Sequence, residues 1–446
     1  QTQITELRWD EEAALWTVCT DRGDRFRARF VCMANGPLNR PKLPGVPGIE
    51  SFKGHTFHTS RWDYAYTGGD SNGNLTGLRD KRVGIIGTGA TAVQCIPHLG
   101  ASARQLYVLQ RTPSSIDVRA NRPTDPEWVK TLTPGWQRRR MENFSTIISG
   151  GHADEDLVAD GWTDIFGRFR QGSIKNGATI DHETRVRMLE LIDFEKMEQI
   201  RARAEELVND PNTAESLKPY YRQFCKRPCF HDEYLQTFNR SNVTLVDTEG
   251  RGVERITERG IVANGVEYEV DCIVYASGFE VGTPLERRAG YQVYGRGGTA
   301  LSEKWRHGIA TLYGMQSRGF PNCFLVSGAQ AGVSANIPHV LEVQSRHIAY
   351  LIEQARKREA RTMDVSAEAE AGWVQKVIDA SLASITFLEA CTPGYYNNEG
   401  QPNGELIRQN GNYGHGIMAY NTILEAWRAE GNLDGLEFTW SRDLAG

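Results

Sequence analysis

Two glycines one residue apart, in Gly87-Thr88-Gly89-Ala90-Thr91-Ala92, stand directly behind the short apolar run Arg82-Val83-Gly84-Ile85-Ile86 and ahead of a helix-like stretch reaching about residue 99. This arrangement binds the pyrophosphate of a dinucleotide. The first glycine permits a tight turn, the second lets the phosphates approach the backbone, and the small Ala92 lets helix and strand pack closely. The free N–H groups and positive dipole end of the helix then face the anion. Gly87, Thr88, Gly89, Ala90, Thr91 and, one turn further on, Gln94 are the candidate cofactor contacts. A second apolar run, "QLYVLQ" at 105–110, completes a strand-turn-helix-strand order and ends in Arg111-Thr112. An NAD site places an acidic residue there for the ribose hydroxyls. A guanidinium and a hydroxyl suit a 2′-phosphate, so NADP(H) is the expected cofactor.

The elements that must position these residues are legible on either side. Residues 4–9, 14–20 and 25–33 read as a β-meander, with Phe26, Ala28, Phe30 and Cys32 alternating with Arg25, Arg27, Arg29 and Val31 at the period of a half-buried strand. The meander runs into Ala34-Asn35-Gly36 and then Pro37, Pro41, Pro44 and Pro47, which reads as an inter-domain connection. From 125 to 217 the chain turns polar and helical, a helical insertion. There follow "NVTLVD" at 242–247, a hairpin around Asn264-Gly265, and a strand at 271–275 that ends in Ala276-Ser277-Gly278-Phe279. The two small-polar-Gly corners match, implying two related nucleotide domains, one inserted in the other, with crossings near residues 35 and 277. Beyond them, 322–336 reads as a strand and turn, with Gln330 a further cofactor-binding candidate, leading to a helix over about 338–358. Later helices are expected at 367–388 and 421–430, the last with Asn421 as N-cap and Gly431 just past its end.

Composition narrows the function classes. A chain of 446 residues with 39% hydrophobic content is long enough for two or three domains. Its 51 basic and 56 acidic residues, net charge -5, form no large one-signed block, which argues against a nucleic-acid partner. No apolar run approaches the ~20 residues that span a bilayer. The eight cysteines are scattered, so no disulfide framework is expected and a reduced, cytoplasmic protein follows. Cys225-x-x-x-Cys229 lacks a second Cys/His pair at zinc-like spacing, so no metal site is expected, and the absence of a Cys-x-x-Cys pair disfavours a thiol-disulfide reductase. Because Gln1 falls inside what reads as a strand, the chain is expected to be a fragment.

The stretch 52–63, "FKGHTFHTSRWD", carries the most specific pattern. Phe52-x-Gly54-x-x-x-His58-x-x-x-Trp62-Asp63 resembles the F-x-G-x-x-x-H-x-x-x-W-(P/D) fingerprint of the Baeyer-Villiger monooxygenases, with the glycine turn just downstream as that family has it. The resemblance extends over essentially the whole chain, including Arg111-Thr112 and "CKRPCFHDEYLQTFNRSNVTLVD" at 225–247. It implies an α/β fold of two dinucleotide-binding, Rossmann-like domains, the NADP domain inserted in the FAD domain and bearing a helical insertion. The implied boundaries are 1–45 for the remaining N-terminal part of the FAD domain, 46–80 for a linker holding the fingerprint, 81–275 for the NADP domain with its insertion at about 125–217, and 276–446 for the C-terminal part of the FAD domain. The family's first FAD-binding βαβ unit is absent from the sequence.

The resemblance also implies the chemistry. NADPH reduces FAD, reduced flavin takes up O2 as a C4a-peroxide, and the deprotonated peroxide attacks a ketone to give an ester or lactone. Arg227 matches the family's arginine beside the flavin, where a fixed cation stabilises anionic species, and Lys226 matches a lysine that helps hold the NADP phosphate. His58 is implied to organise the linker, Trp62 to anchor it by burial and Asp63 to cap nearby backbone. In "CTPGYYNNEG", 391–400, Gly394 or Tyr395 stands where many relatives carry a Trp near the substrate. Two alternatives remain: a flavin-dependent N- or S-oxygenase, against which Trp62-Asp63 argues, and a non-catalytic NADP-binding fragment lacking the FAD site.

Overall fold

The computed structural model describes residues 2–167, 182–381, 387–400 and 404–440. The chain forms two compact units: Gln1–Arg40, Thr133–Val158 and Glu280–Gly446 make the first, Pro41–Leu132 and Ala159–Phe279 the second.

The second unit is built on a five-stranded parallel sheet in the order Val243–Asp247, Gln105–Gln110, Arg82–Ile86, Cys272–Tyr275, His55–His58. Its central strands are covered on both faces and so read as unbroken apolar runs rather than as alternations. On one face Val83, Ile85, Leu106, Val108 and Val274 pack with Val93, Ile96 and Leu99 of the helix Ala90–Ser102. On the other, Ile86, Leu109, Val246 and Ile273 pack with Ile261 and Ala263 of an antiparallel layer, Arg255–Ile256, Gly260–Ala263 and Val266–Glu269. The tip of that layer has Asn264 at φ 52° and Gly265 at φ 72°, the backbone a two-residue type I′ hairpin requires. Residues 55–58 differ from the expected linker: they form the edge strand, in register with Cys272–Tyr275 down to the pair Tyr275↔His58. A single polar edge strand whose partner lies some two hundred residues away leaves no periodic signal of its own.

In the first unit the strands Ile4–Asp10, Leu15–Thr20 and Arg25–Ala28 form the expected antiparallel meander, with Gln292–Tyr294 added in parallel beside the first. The third strand does not run through to Met33. It breaks after Ala28, and Val31–Met33 pairs in parallel with Cys323–Leu325. The expected alternation fails with it, since Phe26 is 57% exposed. The helix Trp136–Ile148 belongs to this unit, packing against the helix Gly416–Glu430, so the region 125–217 is not one continuous insertion. The helix Ile337–Lys357 follows its strand as expected. Ala367–Ala380 is shorter than expected, and 382–386 lie outside the described residues. The last helix begins at Gly416 with His415 as N-cap. Asn421 sits on its exposed face, donating to Glu425, while Gly431 at φ 68° ends it as expected.

Among the described residues no helix is long and apolar enough to cross a membrane, and no group of three or more His, Cys, Asp or Glu could hold a metal ion. Cys229 is a free thiol whereas Cys225 is disulfide-bonded, a departure from the plain thiols expected.

Candidate functional site

The glycine turn leaves the C-terminal end of the buried strand Arg82–Ile86. Gly87 takes φ 113°, and a Cβ there would lie 2.6 Å from the Ala276 carbonyl oxygen, so both conformation and space require glycine. Its N–H bonds the Leu109 carbonyl at 3.1 Å. Gly89 is the N-cap of the helix, and a Cβ on it would meet nothing within 4 Å, so its backbone is open to an approaching group. The first N–H groups of this 13-residue helix have no intrahelical acceptor. Ala92 is fully buried against the sheet, whereas Thr91 and Gln94 are exposed, the latter bonding the Ala90 carbonyl. Thr88 is buried, and its hydroxyl donates to the Thr112 carbonyl at 2.8 Å, while its own carbonyl accepts from the Ser114 hydroxyl at 2.6 Å. Thr88 therefore ties the glycine turn to the segment after the next strand.

That segment, 111–115, begins where Gln105–Gln110 ends. Because Ile86 is registered against Leu109, exposed Arg111 and the glycine turn stand at the same end of the sheet. Tyr221 also holds the segment: its hydroxyl donates to the Pro113 carbonyl at 2.8 Å and accepts the Ser115 N–H at 3.0 Å. The Lys226 ammonium lies 5.5 Å from the centre of the Tyr221 ring. Arg227 is exposed, just ahead of the strand Cys229–Phe230, which pairs with Ile116–Asp117. Burial pushes the Cys229 thiol up to about 11, opposed in part by a hydrogen bond with Ser114 and then by the Arg227 charge. The glycine turn, Arg111-Thr112 and Lys226-Arg227 are thus linked within one unit by Thr88 and Tyr221. Gln330 belongs to the other unit. There it is fully buried, with its side chain bonded to Thr311 and to the carbonyls of Ile309 and Gln409.

The fingerprint residues act on the neighbouring edge strand. A Cβ on Gly54 would come within 2.5 Å of the Phe52 ring and 2.7 Å of the Asp271 carbonyl oxygen. His58 is 7% exposed, with Nε2 3.0 Å from the Gly278 carbonyl and Nδ1 2.8 Å from the Ser60 hydroxyl and 3.2 Å from the Ser60 N–H. These partners fix the tautomer: Nε2–H donates and Nδ1 accepts. Burial holds its pKa below the usual histidine value, against the Gly278 bond. Trp62 meets Phe57 edge-on with centroids 5.1 Å apart and donates to Thr67. Asp63 caps the turn Tyr64–Thr67 through the N–H groups of Ala65 and Tyr66, and its second oxygen is 3.0 Å from His55 Nε2. Tyr221 and Ser114 escaped the sequence reading, since their partners lie 108 and 26 residues away and no spacing marks them.

A comparison with family models gives no match. Among individual proteins, the chain is 55% identical over 440 residues to pentalenolactone D synthase of Streptomyces arenae, covering 98% of this chain and 74% of that protein. It is 51% identical over 438 residues to a Baeyer-Villiger monooxygenase of Stachybotrys chlorohalonatus, covering 98% and 70%. The chain belongs to the Baeyer-Villiger monooxygenase family. Among solved structures, polycyclic ketone monooxygenase from Thermothelomyces thermophila superposes with TM-score 0.89 at 39% identity over 98% of this chain and 73% of its own. Steroid monooxygenase bound to NADP superposes with TM-score 0.76 at 28% identity, over 98% and 80%. Membership makes this chain an NADPH- and FAD-dependent monooxygenase that inserts one oxygen atom of O2 beside a ketone carbonyl. It sets aside the N- or S-oxygenase.

Proposed function

We propose that the end of the parallel sheet in the second unit is the NADP(H) site, and that Arg227 supplies the positive charge for oxygen insertion into a polycyclic ketone. The observation that carries the cofactor reading is the open backbone at Gly89 above a 13-residue helix, beside an Arg111 segment tied to it through Thr88. The free N–H groups of Ala90 and Thr91 would hold the pyrophosphate. Arg111 and Lys226 would take the 2′-phosphate, with the Thr112 hydroxyl beside them. Bound FAD supplies oxygen activation after reduction by NADPH. Arg227, exposed on a short turn braced by the Cys229–Phe230 pairing, is the cation suited to the charge that develops on the ketone oxygen, since a guanidinium stays protonated throughout. For His58 we propose a positioning role on the strand edge, and for buried Gln330 support of the chain around it rather than cofactor contact. The polycyclic substrate class rests on the greater likeness to polycyclic ketone monooxygenase than to cyclohexanone monooxygenase, TM-score 0.89 against 0.73 to 0.77.

The test uses the flavin-loaded protein with NADPH, O2 and a fused-ring ketone, with cyclohexanone, a tertiary amine and a thioether for comparison. Lactone from the fused-ring ketone is expected to predominate. Arg227→Ala should lower ester formation by about 10²-fold or more while NADPH still reduces the flavin. Unchanged ester yield in that variant overturns the role given to Arg227, and preference for cyclohexanone overturns the substrate class.

A further inference from the structure

We infer that Tyr221 is the positioning residue that sets selectivity for NADPH over NADH, by holding Lys226 and the Arg111 segment in one geometry. The inference rests on the reading of this sheet end as the NADP(H) site. Tyr221 is 9% exposed, and its hydroxyl has a donor and an acceptor partner on one stretch of backbone, the Ser115 N–H and the Pro113 carbonyl. That stretch follows Arg111-Thr112 directly, and the Thr112 carbonyl accepts from the Thr88 hydroxyl. The backbone directly after Arg111 is therefore held at three points, Thr112, Pro113 and Ser115. On the face of the same ring lies the Lys226 ammonium, 5.5 Å from its centre, within the range of a cation–π attraction.

One rigid aromatic thus joins a cation to the segment bearing another, and a doubly charged 2′-phosphate needs two cations at once. Phenylalanine would keep the ring under Lys226 but leave the Ser115 N–H and Pro113 carbonyl without their partner in a buried place. Leucine would remove the ring as well. Burial pushes the phenol pKa far above its usual value, so the hydroxyl stays a donor at any working pH.

The experiment compares Tyr221→Phe, Tyr221→Leu, Lys226→Ala and Arg111→Ala in the flavin-loaded full chain, measuring kcat and KM with NADPH and with NADH and the thermal midpoint. For Tyr221→Phe, KM for NADPH should rise about tenfold, the equivalent of roughly 1.4 kcal/mol, with kcat and KM for NADH little changed. Tyr221→Leu should lose selectivity to the level of Lys226→Ala. Equal damage with both cofactors, or unchanged selectivity in both Tyr221 variants, overturns the inference while the site reading stands if Lys226→Ala and Arg111→Ala lower selectivity. If those two also leave selectivity unchanged, the site reading fails and the inference with it. A Tyr221→Leu protein that does not fold leaves Tyr221→Phe to decide.

Discussion

A methyl group tells two glycines of this chain apart. On Gly54 it would press into the Phe52 ring at 2.5 Å and the Asp271 carbonyl at 2.7 Å, while on Gly89 it would meet nothing within 4 Å. Gly54→Ala should therefore destabilise the second unit by about 1–3 kcal/mol, read from urea unfolding. Gly89→Ala has an ordinary extended backbone, φ −74° and ψ −174°, and should leave stability nearly unchanged yet weaken NADP+ binding severalfold in calorimetry. The need for glycine at 87 was legible from its place behind a strand; the crowding at 54 was not, because half of it comes from Asp271. A pH effect belongs at this scale too. His347 is 1% exposed, and burial, then the Arg428 cation, hold its pKa down to about 3. A base depressed in the folded state is neutral in both states above the ordinary value near 6.5, and stability falls as pH drops from there toward 3. Between pH 7 and 5 the wild-type chain should lose about 2 kcal/mol more than His347→Gln, which keeps an acceptor for Arg428 and does not titrate. An equal loss of unfolding free energy between pH 7 and pH 5 in the two proteins, read from denaturant titrations, would refute this.

Short elements depend on caps more than on propensity, and Tyr64–Thr67 spans only 4 residues. Asp63 serves it twice, accepting from Ala65 and Tyr66 with one oxygen and meeting His55 with the other. Asp63→Ala should cost about 1 kcal/mol, in the usual range for a lost N-cap, and Asp63→Asn distinctly less because its amide oxygen can still cap. The comparison is made by urea unfolding at pH 7, and equal losses would show that the His55 contact, not the cap, dominates. The same logic explains what the sequence disclosed of the elements. Strands buried on both faces, such as Arg82–Ile86 and Cys272–Tyr275, announce themselves as apolar runs, and the Asn264-Gly265 hairpin by its turn chemistry. His55–His58 did not, because its strand character comes from pairing with Cys272–Tyr275. The helix beginning at Gly416 was missed at its start because the residue before it, His415, offers no side-chain cap. Asn421, a plausible cap by type, instead pairs one turn along the exposed face.

At the scale of the whole chain, each unit encloses its own cores, one centred on the parallel sheet and the other on Trp373, Tyr420 and their neighbours. The order of strands, glycine turn and corners disclosed the nested plan, but the assignment of 133–158 to the first unit could not be read from order, since it depends on which helix Trp136–Ile148 packs against. A ligand held only by folded protein stabilises by RT ln(1 + [L]/Kd), about 2.7 kcal/mol at a hundredfold excess. For a body of 150–250 residues this corresponds to a rise of roughly 5–10 °C in melting temperature. NADP+ at that excess should raise the melting transition by such an amount. NAD+ at the same concentration should raise it much less, because it lacks the 2′-phosphate for which Arg111 and Lys226 are proposed as partners. The difference between the two cofactors should shrink in 0.5 M salt, which screens exposed cations such as Arg111, and should largely vanish in Arg111→Ala. Equal shifts with both nucleotides in the unaltered chain would mean that the pyrophosphate and nicotinamide ends supply the binding, and that the sheet end does not discriminate between the cofactors.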